Sequence, residues 1–351
     1  MRRGLRRLLL PLLALALATQ GYCAELLVPG GQVVGMVLRT GGILVAGFSE
    51  DAPAQAAGVQ EGDVILSVNG VPVETAQALR DALQEGRQAS LKLRRGEEKL
   101  HLTVNLTQDG ERYALGVLVK EGVSGLGTIS YYDPETGGFG ALGHGVNDQA
   151  LHTLLPLREG SLVEAAVTGV TRGEVGSPGS LQGTFSAQEI LGAIHQNTAQ
   201  GIFGALAAPL EGEALPIGTP EPGPAVIRAT VDERGVQEYQ ARILRVDGRD
   251  AAEGRNLLLE VTDPALLERT GGIVQGMSGS PVLQNGLLVA AVTHVLVGDP
   301  TRGYGISMEN MRKAAGSLPA AFVRCRPAKE IEESCCSSGK CRECRKMSKN
   351  F

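Results

Sequence analysis

The stretch Gly272-Ile273-Val274-Gln275-Gly276-Met277-Ser278-Gly279-Ser280-Pro281-Val282-Leu283 sets a serine between glycines, with a β-like run on either side. A Ser bracketed by Gly on a tight turn is how serine peptidases present a nucleophile. Glycine lets the backbone approach a substrate and take angles that other residues resist. The amides around the Ser can then aim at a developing oxyanion. G-x-S-G alone also occurs by chance as a plain turn. Its company decides: a Gly-bracketed His, a nearby Asp and a binding module upstream.

The chain has 351 residues, room for two domains of ordinary size. Gly is 48 of them, about twice the usual share of roughly 7%. That composition favours many turns and short strands. Trp is absent and aromatics are 3%, so the core must be built from Val, Leu, Ile and Ala. A net charge of −5 gives no electrostatic case for nucleic acid. Residues 1–24 read as an export signal or N-terminal anchor, with a basic Met1 to Arg7 and an apolar Leu8 to Ala18. Membrane association through this segment is open. No Cys lies between Cys23 and Cys325, so neither folded domain is held by disulfides. Export without core disulfides suits a Gram-positive exterior.

Residues 28–108 resemble a PDZ domain. Ala52-Pro53-Ala54-Gln55-Ala56-Ala57-Gly58-Val59 reads as a short helix, and Gly62-Asp63-Val64-Ile65-Leu66-Ser67-Val68-Asn69-Gly70 as turn, strand and hairpin. Thr75 can cap a helix that carries Leu79 and Leu83 on one face. Gly35, Met36, Val37 and Leu38 are expected to form the edge strand of the peptide groove, opposite Leu79 and Leu83. PDZ domains bind an extended peptide by adding it as a strand.

Residues 109–324 read as all-β, with short β-branched or alternating runs punctuated by Gly, Pro, Asn and Asp. That length of short strands suits two small barrels. The fold expected is therefore mainly β, a PDZ domain followed by a double barrel. Residues 325–351 form a basic tail with Cys325, Cys335, Cys336, Cys341 and Cys344. The adjacent Cys pair and short spacing fit zinc poorly, and a disordered tail is the better reading.

A Ser hydroxyl needs a base within hydrogen-bond reach to become a nucleophile. Of five His, His144 stands out in Gly140-Ala141-Leu142-Gly143-His144-Gly145, where glycines would let the imidazole stand clear of a strand end. His101, His152 and His195 sit in unremarkable segments, and His294 reads as structural. A third group should hold the His tautomer. Asp263, before Pro264, is the first choice, although an Asp there also reads as a turn or helix cap. Asp148 and Asp299 are rivals. No metal or organic cofactor is called for.

Thr270 to Pro281, Thr293-His294-Val295, Gly127-Thr128-Ile129, Gly140 to His144 and Asn197-Thr198 together resemble the stage IV sporulation protein B peptidases. The resemblance covers roughly residues 28–322. It implies a chymotrypsin-like serine endopeptidase, so the double barrel would be of that type. Ser278 is then the nucleophile, His144 the base, Asp263 the orienting carboxylate, and the Gly276 and Ser278 amides the oxyanion hole. Chymotrypsin-like folds usually place the Asp in the first barrel, so a His–Ser dyad also fits. Family members are exported into the space between the forespore membranes. There they process themselves and cut a membrane-anchored inhibitor of an intramembrane metalloprotease, which releases the late mother-cell sigma factor. The partners implied are that inhibitor and the enzyme's own N-terminal segment, with Glu25 to Gly31 as a self-cleavage region. An exported quality-control peptidase and an inactive PDZ scaffold are the alternatives.

Overall fold

The structure is a computed structural model and describes residues 25–110, 112–148, 153–248 and 255–316. The N-terminal segment 1–24, His152 and the Cys-rich tail 325–351 lie outside the described residues.

The chain opens with β1 (Leu26–Pro29) and the long β2 (Val33–Phe48). Helix α1 (Pro53–Ala56), β3 (Val64–Val68), β4 (Val71–Pro72), α2 (Ala76–Ala82), β5 (Gln88–Arg95) and β6 (Glu98–Asn105) follow. Pro53 opens α1 where a missing N–H costs nothing. Thr75 caps α2, its hydroxyl accepting from the Ala78 amide at 3.0 Å. β5 alternates, burying Ala89, Leu91 and Leu93. Asp63, in the turn before β3, is fully buried. Its carboxylate accepts from Arg95 Nε and Nη2 at 2.7 Å each and from the Gln60 amide at 2.9 Å. A buried charge needs such partners, which is why Arg95 ends β5 beside this turn. These elements share a core of Ile43, Val45, Ile65, Val68, Leu79, Leu83, Leu91 and Leu93.

Next come β7 (Thr107–Asp109), β8 (Arg112–Ala114), β9 (Val117–Tyr132), β10 (Gly138–Ala141), β11 (Asn147–Asp148), β12 (Thr153–Leu154), β13 (Glu159–Thr171), β14 (Ser180–Thr198), β15 (Gly201–Leu206) and β16 (Leu215–Pro216). Pairings β9–β10, β10–β15, β15–β14, β14–β13, β13–β2 and β2–β9 close a ring of strands, the first barrel.

That ring borrows β2 from before the PDZ elements, and this corrects the expected groove. Gly35, Met36, Val37 and Leu38 pair with Val163, Leu162, Ser161 and Gly160 on one side. On the other side they pair with Leu126, Gly125, Ser124 and Val123. Both rows of backbone groups are taken, so this segment offers no edge to a peptide. The chain bends at Gly41 and Gly42, with φ of 68° and 156°, and only Ile43 onward joins the PDZ sheet. The PDZ elements are thus an insertion between two neighbouring strands of the barrel. The strand flanking them is the first part of β9, where Lys120, Val119, Leu118 and Val117 pair with Leu44, Val45, Gly47 and Phe48. Leu79 and Leu83 are correspondingly buried, in the cluster against which Val117 and Val119 pack. Glu121 Oε1 accepts from the Ala76 amide at 2.7 Å, fixing β9 to the start of α2.

The second barrel follows: β17 (Gly223–Thr230), β18 (Val236–Val246), β19 (Leu257–Val261), α3 (Pro264–Thr270), β20 (Pro281–Gln284), β21 (Leu287–Leu296), β22 (Asp299–Ser307) and α4 (Met308–Ala315). It closes in the order β17-β18-β19-β22-β21-β20. Ile227, Ile243, Leu259, Met277, Val282 and Val292 are among its core. Helix α4 returns to the first barrel, burying Met308 and Met311 beside Tyr131, Phe203 and Leu27. Its Arg312 pairs with Glu25 and Asp133.

Candidate active site

The serine turn lies between α3 and β20. Gly271 ends α3 in the left-handed region at φ 75°. The Ile273 amide then donates to the Pro300 carbonyl at 2.8 Å. The Gln275 amide donates to the Gly179 carbonyl and its carbonyl accepts from the Leu181 amide, both at 2.8 Å. Gly276 and Gly279 both take φ 98°. A side chain at Gly279 would collide with the Thr128 carbonyl, so glycine is required there by space as well as by angle. Met277, fully buried, anchors the turn in the second barrel's core. Ser278 is left half-buried at the turn's tip.

Thr128 of β9 organises this turn from the first barrel. Its hydroxyl donates to the Gly276 carbonyl at 2.7 Å. Its amide donates to the Ser278 carbonyl at 3.0 Å, and its carbonyl accepts from the Leu142 amide at 3.2 Å. Both turn carbonyls therefore point to β9. The amides of Gly276 and Ser278 make no hydrogen bond to any described residue. Two unpartnered amides beside a serine are the donors an oxyanion hole requires.

The Leu142 bond ties the same threonine to the histidine. Leu142 and Gly143 take φ of 67° and 70°, so the chain turns sharply as it leaves β10. Leu142 tolerates the strained angle because its side chain is buried in the first barrel. His144 follows, and its Nδ1 lies 2.9 Å from the Gly145 carbonyl. A carbonyl only accepts, so Nδ1 carries the proton and Nε2 is the free base. Asn197 holds the next turn, its Oδ1 accepting from the Val146 amide at 2.9 Å. Its Nδ2 donates to the Val146 and Leu155 carbonyls at 2.8 and 3.0 Å.

His294 completes the cluster, its ring centroid 4.7 Å from that of His144. It is not remote structural filler, as the sequence suggests. Burial, opposed by the Gly145 hydrogen bond and helped by the charge of Arg255, holds the His144 pKa below the ordinary 6.5. Burial, then His144 and Arg255, push His294 down to about 4. Both rings are neutral at neutral pH. Ser278 Oγ donates to the Thr293 carbonyl at 2.7 Å, next to His294 in the chain. A turn about χ1 is needed to bring the hydroxyl to an imidazole, and catalytic hydrogen bonds commonly form only with substrate bound.

Asp263 caps a helix, and no hydrogen bond joins it to His144, whose ring bonds the Gly145 carbonyl. Its Oδ1 accepts from the Ala265 and Leu266 amides at 3.0 Å each, and its Oδ2 from the Gln240 amide at 3.2 Å. It is the N-cap of α3, with both oxygens engaged by main-chain donors. Its rivals are also engaged. Asp148 pairs with Lys120 at 2.7 Å, and Asp299 accepts from the Thr301 amide and hydroxyl. The residues missed by sequence reasoning are Thr128, His294 and Asn197 in these roles, and the Gly145 carbonyl. Thr128 and Asn197 do stand in the segments that carry the family resemblance.

The family model for the SpoIVB peptidase S55 matches residues 111–312. A PDZ domain model matches residues 44–95. A probable periplasmic serine endoprotease DegP-like protein of Pseudomonas fluorescens is 39% identical over 90 residues, 24% of this chain and 19% of that protein. A DegP-like protein of Rickettsia conorii is 32% identical over 76 residues, 21% of this chain and 15% of that protein. The serine protease HTRA1 of Xenopus tropicalis is 36% identical over 67 residues. The chain thus spans under a fifth of the length of these curated relatives. Among solved structures, the active form of the Rv3671c protease of M. tuberculosis superposes with a TM-score of 0.31 at 15% identity, covering 57% of this chain and 74% of that one. Its inactive form gives 0.33 at 13%, covering 55% and 85%.

Proposed function

Because the chain belongs to the SpoIVB peptidase S55 family and is a serine endopeptidase with a PDZ domain, we propose that Ser278 and His144 act as a dyad with no carboxylate as third member. The observation that carries this reading is the shared anchor of both residues on Thr128, with the Gly276 and Ser278 amides left unpartnered. The Ser278 hydroxyl swings from the Thr293 carbonyl to His144 Nε2. Its oxygen attacks the scissile carbonyl as Nε2 takes the proton. The carbonyl oxygen, now negative, accepts from the Gly276 and Ser278 amides. Nε2–H then protonates the leaving amine, and an acyl-enzyme remains on Ser278. Water repeats the sequence with His144 as base and frees the acid. The Gly145 carbonyl does the task a carboxylate does in a triad, holding the tautomer.

Sporulation signalling is the role family membership supports. The enzyme would be exported into the forespore intermembrane space, with residues 1–24 as leader or anchor. There it would cut itself, and then a membrane-anchored protein that restrains an intramembrane metalloprotease. Self-cleavage is best placed before Leu26. The β1 strand is paired throughout, Leu26 and Leu27 with β16 and Val28 and Pro29 with β9, and Leu27 is fully buried. A bond in a paired strand cannot enter a cleft without unfolding. A peptide held by the PDZ unit would add beyond β9, the strand that flanks it. Quality control is the second reading, favoured by the DegP-like relatives.

Intact-mass measurement of the full chain beside Ser278→Ala tests the peptidase reading. Discrete N-terminal truncation in the parent alone is expected. Identical masses for both, with casein also left whole, would point to an inactive scaffold. Extensive digestion of casein would favour quality control over signalling.

A further inference from the structure

Arg255 stands one layer outside the histidine pair. Its guanidinium carbon lies 5.5 Å from the centre of the Tyr304 ring. Tyr304 is the cross-strand partner of His294, and His294 touches His144. Exposure grows outward along this series, from half-buried His294 and Tyr304 to exposed Arg255. Several arginines of the second barrel have carboxylates: Arg234 has Asp232, Arg245 has Asp247, Arg302 has Glu260. Among the described residues, no carboxylate lies against Arg255. An aromatic ring under a guanidinium fixes its plane and leaves its N–H edge free. An edge of that kind, with no carboxylate on it among the described residues, is made for bidentate contact with one.

We propose that Arg255 is a specificity-determining residue that takes the carboxylate of an acidic substrate side chain close to the scissile bond. The proposal rests on the peptidase reading of the cleft. An acidic side chain is preferred to a C-terminal carboxylate because an endopeptidase cuts within a chain. The contact also serves the chemistry. The positive charge of Arg255 disfavours a second positive charge on His144, and a substrate carboxylate neutralises it as the imidazolium forms. The acidic side chain should therefore raise kcat as well as lower KM.

The test uses the full chain and quenched-fluorescence peptides built around a bond that mass spectrometry shows it to cut in casein or in itself. Glu and Gln are exchanged at each of the positions flanking that bond. At one position Glu should exceed Gln by roughly tenfold in kcat/KM, the worth of one charge-assisted contact. Arg255→Gln should bring that ratio to about one, Arg255→Lys should keep part of it, and Tyr304→Leu should lower it. A ratio near one at every position in the parent, or a ratio kept by Arg255→Gln, overturns the proposal. Gln peptides with free and amidated C-termini form a second arm. A preference confined to the free acid would assign Arg255 to a chain terminus and overturn the side-chain assignment.

A binding arm separates this proposal from the peptidase reading. Fluorescence anisotropy compares pools of labelled decapeptides carrying one Glu or one Gln, on Ser278→Ala and on Ser278→Ala with Arg255→Gln. A Glu preference lost with Arg255 supports the proposal even if the parent cuts nothing. Equal binding by both proteins overturns it.

Discussion

In the proposed dyad His144 works as a neutral base, and its surroundings keep it neutral to lower pH than a free imidazole. Burial is the main cause, with the charge of Arg255 adding to it. Lowering the pH through 6.5 should therefore leave kcat/KM largely intact, and the acid limb should fall below that value. A limb at or above 6.5 in a pH–rate profile would contradict the assignment. His294 brings a stability effect of definite sign. Its folded pKa of about 4 lies below the 6.5 of an unfolded His. Between these values the unfolded chain binds the extra proton, so stability is full above 6.5 and declines as pH falls towards 4. His294→Gln should flatten that part of a stability–pH curve measured by urea unfolding. Two further substitutions separate chemistry from support. Asp263→Ala should cost about 1 kcal/mol of stability through the lost cap, with kcat within a few-fold of the parent. Thr128→Val should lower kcat by roughly 10²-fold, as loss of an oxyanion donor does, because the Gly276 carbonyl loses its hydroxyl partner. Thr128→Ser should restore most of that, which a loss of packing alone would not allow.

Among the elements, β2 and β9 define the architecture. Each serves the barrel at one end and the PDZ unit at the other, and Arg39 faces Gly122 where they separate. Replacing residues 40–121 with a two-residue turn should therefore give a folded double barrel, shown by a cooperative melt and retained β circular dichroism. Deleting residues 25–39 instead should remove a strand from the closed ring and abolish cooperative melting. The PDZ core and the serine turn were both legible in the sequence, since each rests on local spacing: Gly62-Asp63 before a strand, Gly276 and Gly279 around Ser278. The start of the PDZ unit was not. Val33-Val34-Gly35-Met36-Val37-Leu38 is apolar whether it edges a groove or closes a barrel, and periodicity is silent about neighbours. Asp263 reads two ways for a related reason. A carboxylate before Pro caps a helix or orients a histidine, and only the fold tells which group stands beside His144. The Thr128 anchor joins residues far apart in sequence, so no spacing rule reveals it.

At the scale of the molecule, the two barrels meet at the proposed dyad. The second supplies the serine turn, the first supplies His144, and Thr128 binds one to the other. Strand β9 runs unbroken from Val117 beside the PDZ unit to Thr128 and beyond, so a peptide captured beside α2, as proposed, would lie on the strand that braces the serine turn. All of this depends on Ser278 being activated by His144 without Asp263. The most direct test treats the full chain with diisopropyl fluorophosphate and maps the adduct by mass spectrometry. A single adduct is expected, on Ser278, absent from Ser278→Ala, slowed by orders of magnitude in His144→Ala and formed at a near-parent rate in Asp263→Ala. An adduct on another residue, or labelling abolished by Asp263→Ala in a folded protein, would contradict it.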